Sequence, residues 1–262
     1  MNKYRLIKEK NQVKRVEYFN EHWYQVPGIL EAIPSVSSIL QIVSKGFGYD
    51  EWLKSVGHEA SYILREAQDS GTKLHNSFEY LMEGNSLNME MHNQYTKKEW
   101  QKICNWTNWY SDLNIQPIAI ELMVWSVNWS VGGTLDLLCE IDGEVWLLDW
   151  KTGNGVYETS QLQVAAYFKM LCEMIDRKLI DVPRPERAGL VHVGALNKTK
   201  KGMNNVGVKV VEVDLQKDQQ AFADTLSVYN RFNPNAKAPS SEFAYEILLP
   251  EELTIKGENN VR

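Results

Sequence analysis

Cysteine is scarce in this 262-residue chain: Cys104, Cys139 and Cys172 stand far apart and are odd in number. Their spacing fits neither a zinc site nor a disulfide framework. A reducing, cytoplasmic setting is the expectation. Long apolar runs are also missing, and none approaches the length needed to span a bilayer. Met1 to Lys10 alternates charged and apolar residues, so no secretory leader is expected. Basic excess is absent as well: 28 Lys and Arg stand against 34 Asp and Glu, a net charge of -6. A protein that coats nucleic acid is ordinarily basic. The acidity counts against non-specific wrapping, but not against chemistry on phosphate, because a bound cation reverses the field of the carboxylates that hold it. Gly132-Gly133 and Gly153-x-Gly155 lack the Lys-Ser/Thr of a phosphate loop. They read instead as turns and close-approach positions.

What is present is a core's worth of apolar sequence, 44% of the chain, without repeats or runs of like charge. Residues 3 to 26 read as two or three short strands, with Val13 to Tyr18 the clearest. Helices are expected over Val36 to Val43, Tyr49 to Val56 and Glu59 to Asp69. Ser70-Gly71 interrupts the last of these, and Thr72 caps a further helix to Glu83. Thr96 caps a helix through Leu113, with Trp100, Ile103, Trp106, Tyr110 and Leu113 on one stripe. Strands follow over Ile118 to Asn128, Gly133 to Ile141 and Glu144 to Lys151, then a helix over Thr159 to Lys178. Ala188 to Leu196 and Val206 to Leu215 read as a hairpin, and Gln216 to Arg231 as the last helix. No linker divides the chain. It is expected to be one α/β domain over 1–262, with N-terminal strands to about residue 33 and a loose tail from about 234.

One turn carries most of the inference. Asp142-Gly143 between two apolar runs is the favoured type I′ hairpin dipeptide. A two-residue loop pairs Ile141 with Glu144, and counting back in register brings Asp136 directly opposite Asp149. Lys151 points to the same face as Asp149. Like charges directly opposite destabilise a sheet, and a divalent cation between them removes the penalty. Leu138 and Leu147 share the carboxylate face; Leu135, Leu137, Trp146, Leu148 and Trp150 fill the other. Both faces are apolar, as in a sheet covered on both sides, where uncompensated charge is expensive. Removing the Asp136 carboxylate is expected to stabilise the metal-free protein by relieving repulsion.

Gly133-Thr134-Leu135-Asp136, Leu148-Asp149-Trp150-Lys151-Thr152-Gly153 and Gln163-Val164-Ala165-Ala166-Tyr167 together resemble the PD-(D/E)XK nuclease superfamily. The likeness is to its RecB-like branch, which includes phage-type exonucleases and the mitochondrial genome maintenance exonuclease. Gly71-Thr72-Lys73-Leu74-His75 resembles that branch's upstream G-x-x-x-H. The resemblance is specific over residues 71 to 167 and looser on the flanks. It implies a restriction-endonuclease-like core, a mixed central sheet flanked by helices. It implies that Asp136, Asp149, His75 and the main-chain carbonyl of Trp150 bind the metal. Lys151 would orient or help deprotonate the attacking water. Gln163 and Tyr167, four apart on one helix face, would shape the site, and Glu121 matches an acidic position on the preceding strand. The superfamily's proline is replaced by Leu135, as is usual in the RecB-like branch. The cofactor implied is Mg2+ or Mn2+, one or two ions. No iron–sulfur cluster is expected, because relatives that carry one use four cysteines.

The resemblance also implies a DNA exonuclease acting on single strands or free ends and leaving 5′-phosphates. A phage-type protein of this kind would work in the host cytoplasm, with no membrane partner. The alternatives are a site-specific or structure-specific endonuclease, and a nuclease fold that binds nucleic acid without cutting. Lys198, Lys200 and Lys201 form a basic loop that could grip phosphate. Trp109, off the apolar stripe, could stack on bases. Such loops are more often simply solvated, and such tryptophans are more often core. His22, His58, His92 and His192 show no partner pattern.

Overall fold

The computed structural model describes residues 13–18, 21–88, 95–198 and 204–239. Strands β1 (Lys14–Tyr18), β2 (Glu21–Gln25) and β3 (Ile33–Pro34) open the chain, followed by α1 (Val36–Leu40). Ser35 caps α1 by accepting from the Ser38 N–H at 3.0 Å. Helix α2 (Phe47–Val56) and a 3-10 turn (Gly57–Glu59) lead into α3 (Ala60–Met82). Next come α4 (Lys97–Asp112), β4 (Gln116–Ser126), β5 (Val131–Ile141), β6 (Glu144–Lys151) and α5 (Glu158–Asp176). The chain finishes with β7 (Arg187–Lys198), β8 (Asn204–Glu212) and α6 (Leu215–Phe232). Residues 3–12, His92, most of the 198–201 basic loop and nearly all of the tail lie outside the described residues. Among the described residues no helix is long and apolar enough to cross a membrane.

The first three strands form a small antiparallel sheet, bridged to the main sheet at Ser35 and Gly132. The main sheet runs β4-β5-β6-β7-β8, antiparallel except for the parallel β6–β7 pair. Parallel neighbours need a crossover, and α5 supplies it. Two apolar clusters lie on the two faces. One packs α1, α5 and α6 against the sheet through Ile39, Met170 and Phe222. The other packs α3 and α4 through Phe78 and Trp106. This is the mixed α/β layering expected, with apolar side chains on both faces.

Two expectations change. The segment 59–83 forms no separate helices. Gly71 costs about 1 kcal/mol relative to Ala, but fully buried Leu74 and Phe78 hold the helix through it. Thr72 therefore lies inside α3 and caps nothing. Leu135 also changes side: it packs with Leu138 and Leu147, not with Leu137 and Leu148. The alternation breaks because Glu121 on the neighbouring strand adopts left-handed backbone, φ 49. Ile120 and Leu137 serve one cluster, while Leu122 and Leu135 serve the other.

Candidate active site

The Asp142-Gly143 turn has positive φ at both positions, 52 and 89, as a type I′ turn requires. The hairpin pairs Ile141 with Glu144 and stays in register to Leu137 and Leu148. There the β5–β6 ladder stops, one pair short of Asp136 and Asp149. Strand β6 continues to pair with β7 as far as Lys151. The Trp150 N–H, without a ladder partner on β5, donates to Asp136 Oδ2 at 2.7 Å. The two aspartates thus stand on the prongs of a fork. Sidedness follows from the opening. His75 arrives from α3 on one face, its Nδ1 3.5 Å from Asp136 Oδ1. Gln163 arrives from α5 on the other face, its Oε1 accepting from Lys151 Nζ at 3.1 Å.

One ligand atom each from His75, Glu121 and Asp136 lie within 4.8 Å of one another. Asp149 stands beside this set, its Oδ2 2.5 Å from Lys151 Nζ. Lys151 holds this buried carboxylate by charge and by hydrogen bond. Burial pushes the Asp149 carboxyl up to about 6, against the pull of Lys151, and the Asp136 charge adds to the rise. Glu121 is pushed up to about 7 by burial and by the charges of Asp136 and Glu79. Burial works against ionised Asp136 too, but the His75 charge and hydrogen bond, then Lys151, outweigh it and hold that carboxyl low. Burial opposes the cationic forms of His75 and Lys151; their carboxylate neighbours more than offset it and raise both.

Packing fixes these groups in place. Between its two charged neighbours, Trp150 turns to the opposite face. There its ring meets Trp106 edge-on, 5.6 Å between centroids, and Phe78 stacks on Trp106 at 4.5 Å. The same aromatic cluster therefore anchors β6 and the helix that carries His75. On the other face Gln163 Nε2 donates to the Tyr167 hydroxyl at 2.8 Å. The Tyr167 ring lies so close to Gly133 that a Cβ there would collide with it. A Cβ at Gly132 would lie 2.6 Å from the Tyr24 ring. Both glycines are close-approach positions, while Gly153 and Gly155 face open space.

Several neighbours carry no sequence signal. The Tyr24 hydroxyl, on β2, bonds the Thr134 hydroxyl at 3.0 Å and feels the Glu121 charge, while Arg15 on β1 draws the Glu121 carboxyl down. His192, paired with Lys151 across the β6–β7 ladder, donates from Nε2 to the Gly153 carbonyl at 2.9 Å. Lys102 donates to the Thr152 carbonyl at 2.6 Å. Both tie down the loop after Lys151. None of these residues lies in a motif, and each reaches the site through strand order or helix packing alone. Trp109 is half-buried and edge-on to Trp150 at 6.0 Å, so its ring belongs to the core cluster. Lys200 and Lys201 lie outside the described residues; Lys198 ends β7.

A family model described as the PD-(D/E)XK nuclease superfamily matches residues 50–244, most of the chain. The chain belongs to the PD-(D/E)XK nuclease superfamily. No curated protein matches it. The matched span contains the fork, α3, α4 and α5. It leaves out β1 to β3, α1 and the start of α2, so Tyr24 and Arg15 lie outside it. A PD-(D/E)XK chain is by family a metal-dependent nuclease acting on nucleic acid.

The donor chemistry fits a divalent cation. Two carboxylates and an imidazole converge, a third carboxylate stands beside them, and two acids are held at raised pKa by burial, with neighbouring carboxylates adding to it. A hard cation of modest size suits such oxygen donors.

Proposed function

We propose that the protein is a metal-dependent deoxyribonuclease of the RecB-like branch, an exonuclease that hydrolyses phosphodiester bonds to leave 5′-phosphates. The convergence of His75, Glu121 and Asp136 beside the Asp149–Lys151 pair carries this reading. His75, Glu121, Asp136 and Asp149 are assigned to hold the cation, with the Trp150 main chain adjoining them. Carboxylates suit Mg2+ and Mn2+ alike, and the imidazole tilts the set toward Mn2+. When bound, one or two such ions supply Lewis-acid polarisation of the phosphate and stabilise the leaving oxygen.

The chain's own groups do the rest. Lys151 is kept as an ammonium by the flanking carboxylates. It is assigned to orient the attacking water and to stabilise negative charge developing on the phosphate. Gln163 fixes the Lys151 ammonium and is itself fixed by Tyr167. The preference for DNA and for ends rests on the RecB-like motif spacing.

The test is digestion of end-labelled linear DNA and closed circular DNA, single- and double-stranded, with Mg2+, Mn2+ or EDTA. The expected result is metal-dependent loss of linear substrate with circles left intact. Asp149→Asn and Lys151→Ala should each lower the rate at least about 100-fold, and His75→Ala should raise the Mn2+ concentration required. Cleaved circles would replace the exonuclease with an endonuclease. Wild-type protein that cuts nothing with either metal would leave only a binding module.

A further inference from the structure

Beside the acidic cluster lies an open cavity of about 760 Å3. One wall is the segment joining α1 to α2, with Lys45, and the first turn of α2, with Tyr49 and Asp50; the other is the first turn of α5, with Thr159 and Ser160. Gln163 also lines it. Because Gln163 holds Lys151 Nζ, the cavity and the acidic cluster share a residue.

The wall chemistry is specific. Lys45 Nζ sits 4.5 Å from the centroid of the Tyr49 ring, a cation–π pair at the cavity edge. Tyr49 is backed by Trp52, 5.6 Å away and tilted 35°. Helix α2, which presents this ring, buries none of its ten residues. Opposite stand two hydroxyls at the start of a 19-residue helix whose N-cap, Tyr157, makes no side-chain cap bond. An aromatic platform joined to a cation is how proteins hold unpaired bases on a charged backbone. The lining contains one cation and one carboxylate, Lys45 and Asp50. A duplex backbone calls for a broader basic surface than that.

We propose that this cavity receives a single strand of nucleic acid next to the bond presented to the acidic cluster. One phosphate lies between Lys45 and the Thr159 and Ser160 hydroxyls, and one base stacks on Tyr49. The proposal rests on the nuclease reading, yet Lys45 and Tyr49 precede the span matched by the family model, which begins at residue 50.

Fluorescence anisotropy of full-length protein in EDTA tests it, with short labelled oligo(dT), oligo(U) and a hairpin duplex as probes. Lys45→Ala and Tyr49→Ala should each weaken single-strand binding about tenfold. Tyr49→Phe, which keeps the ring, should bind like wild type. Lys45→Ala should also flatten the salt dependence by about 0.7 in log–log slope, one phosphate contact on a single strand. Asp50→Asn should tighten binding. Equal losses on oligo(dT) and oligo(U) mark a site for either backbone sugar, and a loss on oligo(dT) alone marks one for DNA. Unchanged single-strand binding in both alanine variants would overturn the proposal, as would an equal loss on the hairpin. Melting followed by circular dichroism shows whether the variants are folded. Wild-type cleavage with Mn2+ is scored separately. Cleavage with unaltered binding in the variants sinks the cavity alone. Altered binding without any cleavage supports the cavity and sinks the nuclease reading.

Discussion

Glu121 has a left-handed backbone at φ 49, a region non-glycine residues occupy at a cost of about 1 kcal/mol or more. Its carboxyl is also pushed up to about 7. The folded protein therefore binds a proton at Glu121 more tightly than the unfolded chain does. Its ionisation lowers stability as pH rises from about 4.5 through 7, and the penalty is complete above that. Glu121→Gln should accordingly stabilise metal-free protein at pH 8 by on the order of 2 kcal/mol, with the gain fading as pH falls from about 7 and gone by about 4.5. Urea unfolding in EDTA measures this; a variant no more stable than wild type at pH 8 would contradict it. The same reasoning reverses the sequence-based expectation for Asp136. Its carboxylate accepts from the Trp150 N–H and is held low by His75, so removing it should destabilise the fold. Repulsion falls instead on Glu121 and Asp149, a division that depends on which partners the fold supplies.

At the scale of the element, α4 shows local sequence and tertiary packing in agreement. Thr96 and Glu99 form a capping box: the Glu99 N–H donates to the Thr96 hydroxyl at 3.2 Å, and the Thr96 N–H donates to Glu99 Oε2 at 2.7 Å. Tertiary packing adds Lys73 from α3, 3.2 Å from Glu99 Oε1. Burial disfavours the ionised carboxyl, but hydrogen bonds from Thr96, Ser70 and Lys73 overcome it and lower it to about 2. A depressed acid stabilises the fold above its unfolded pKa, and that stability is lost as pH falls from about 4.5 toward 2. Glu99→Gln should cost on the order of 2 kcal/mol at pH 7, and the gap should close with acidification over that window. Parallel urea midpoints of both proteins provide the check; a gap independent of pH would remove the ionic part of the argument. Helix α3 teaches the converse. A serine-glycine pair looked like a break, yet burial of Leu74 and Phe78 overrode propensity.

Across the whole molecule, the groups assigned to the proposed site come from β4, β5, β6, α3 and α5, and they meet because β5 and β6 separate just past Leu137 and Leu148. In the metal-free protein the fork concentrates negative charge, so a cation that binds only the folded state must stabilise it. Mn2+ at a hundredfold excess over its Kd should raise Tm by about 5 °C or more, and Asp136→Asn should lose most of that shift. Differential scanning fluorimetry with Mn2+, Mg2+ and EDTA reads this directly. A Tm indifferent to both metals, or a shift retained in Asp136→Asn, would remove the cation from the fork.

The sequence by itself determined the hairpin, its register and the nearness of two aspartates and a lysine. Those follow from a two-residue turn and the two-residue period of a strand, which are local. It also showed the spacing of Gln163 and Tyr167, because helix geometry is local too. Only the tertiary structure decided that the strands part at the aspartates, that Glu121 twists to join His75 and Asp136, and that Lys102, His192 and Tyr24 border the site. Those outcomes depend on strand order and on which helix covers which face. Both are set by long-range packing, which no stretch of the chain encodes alone.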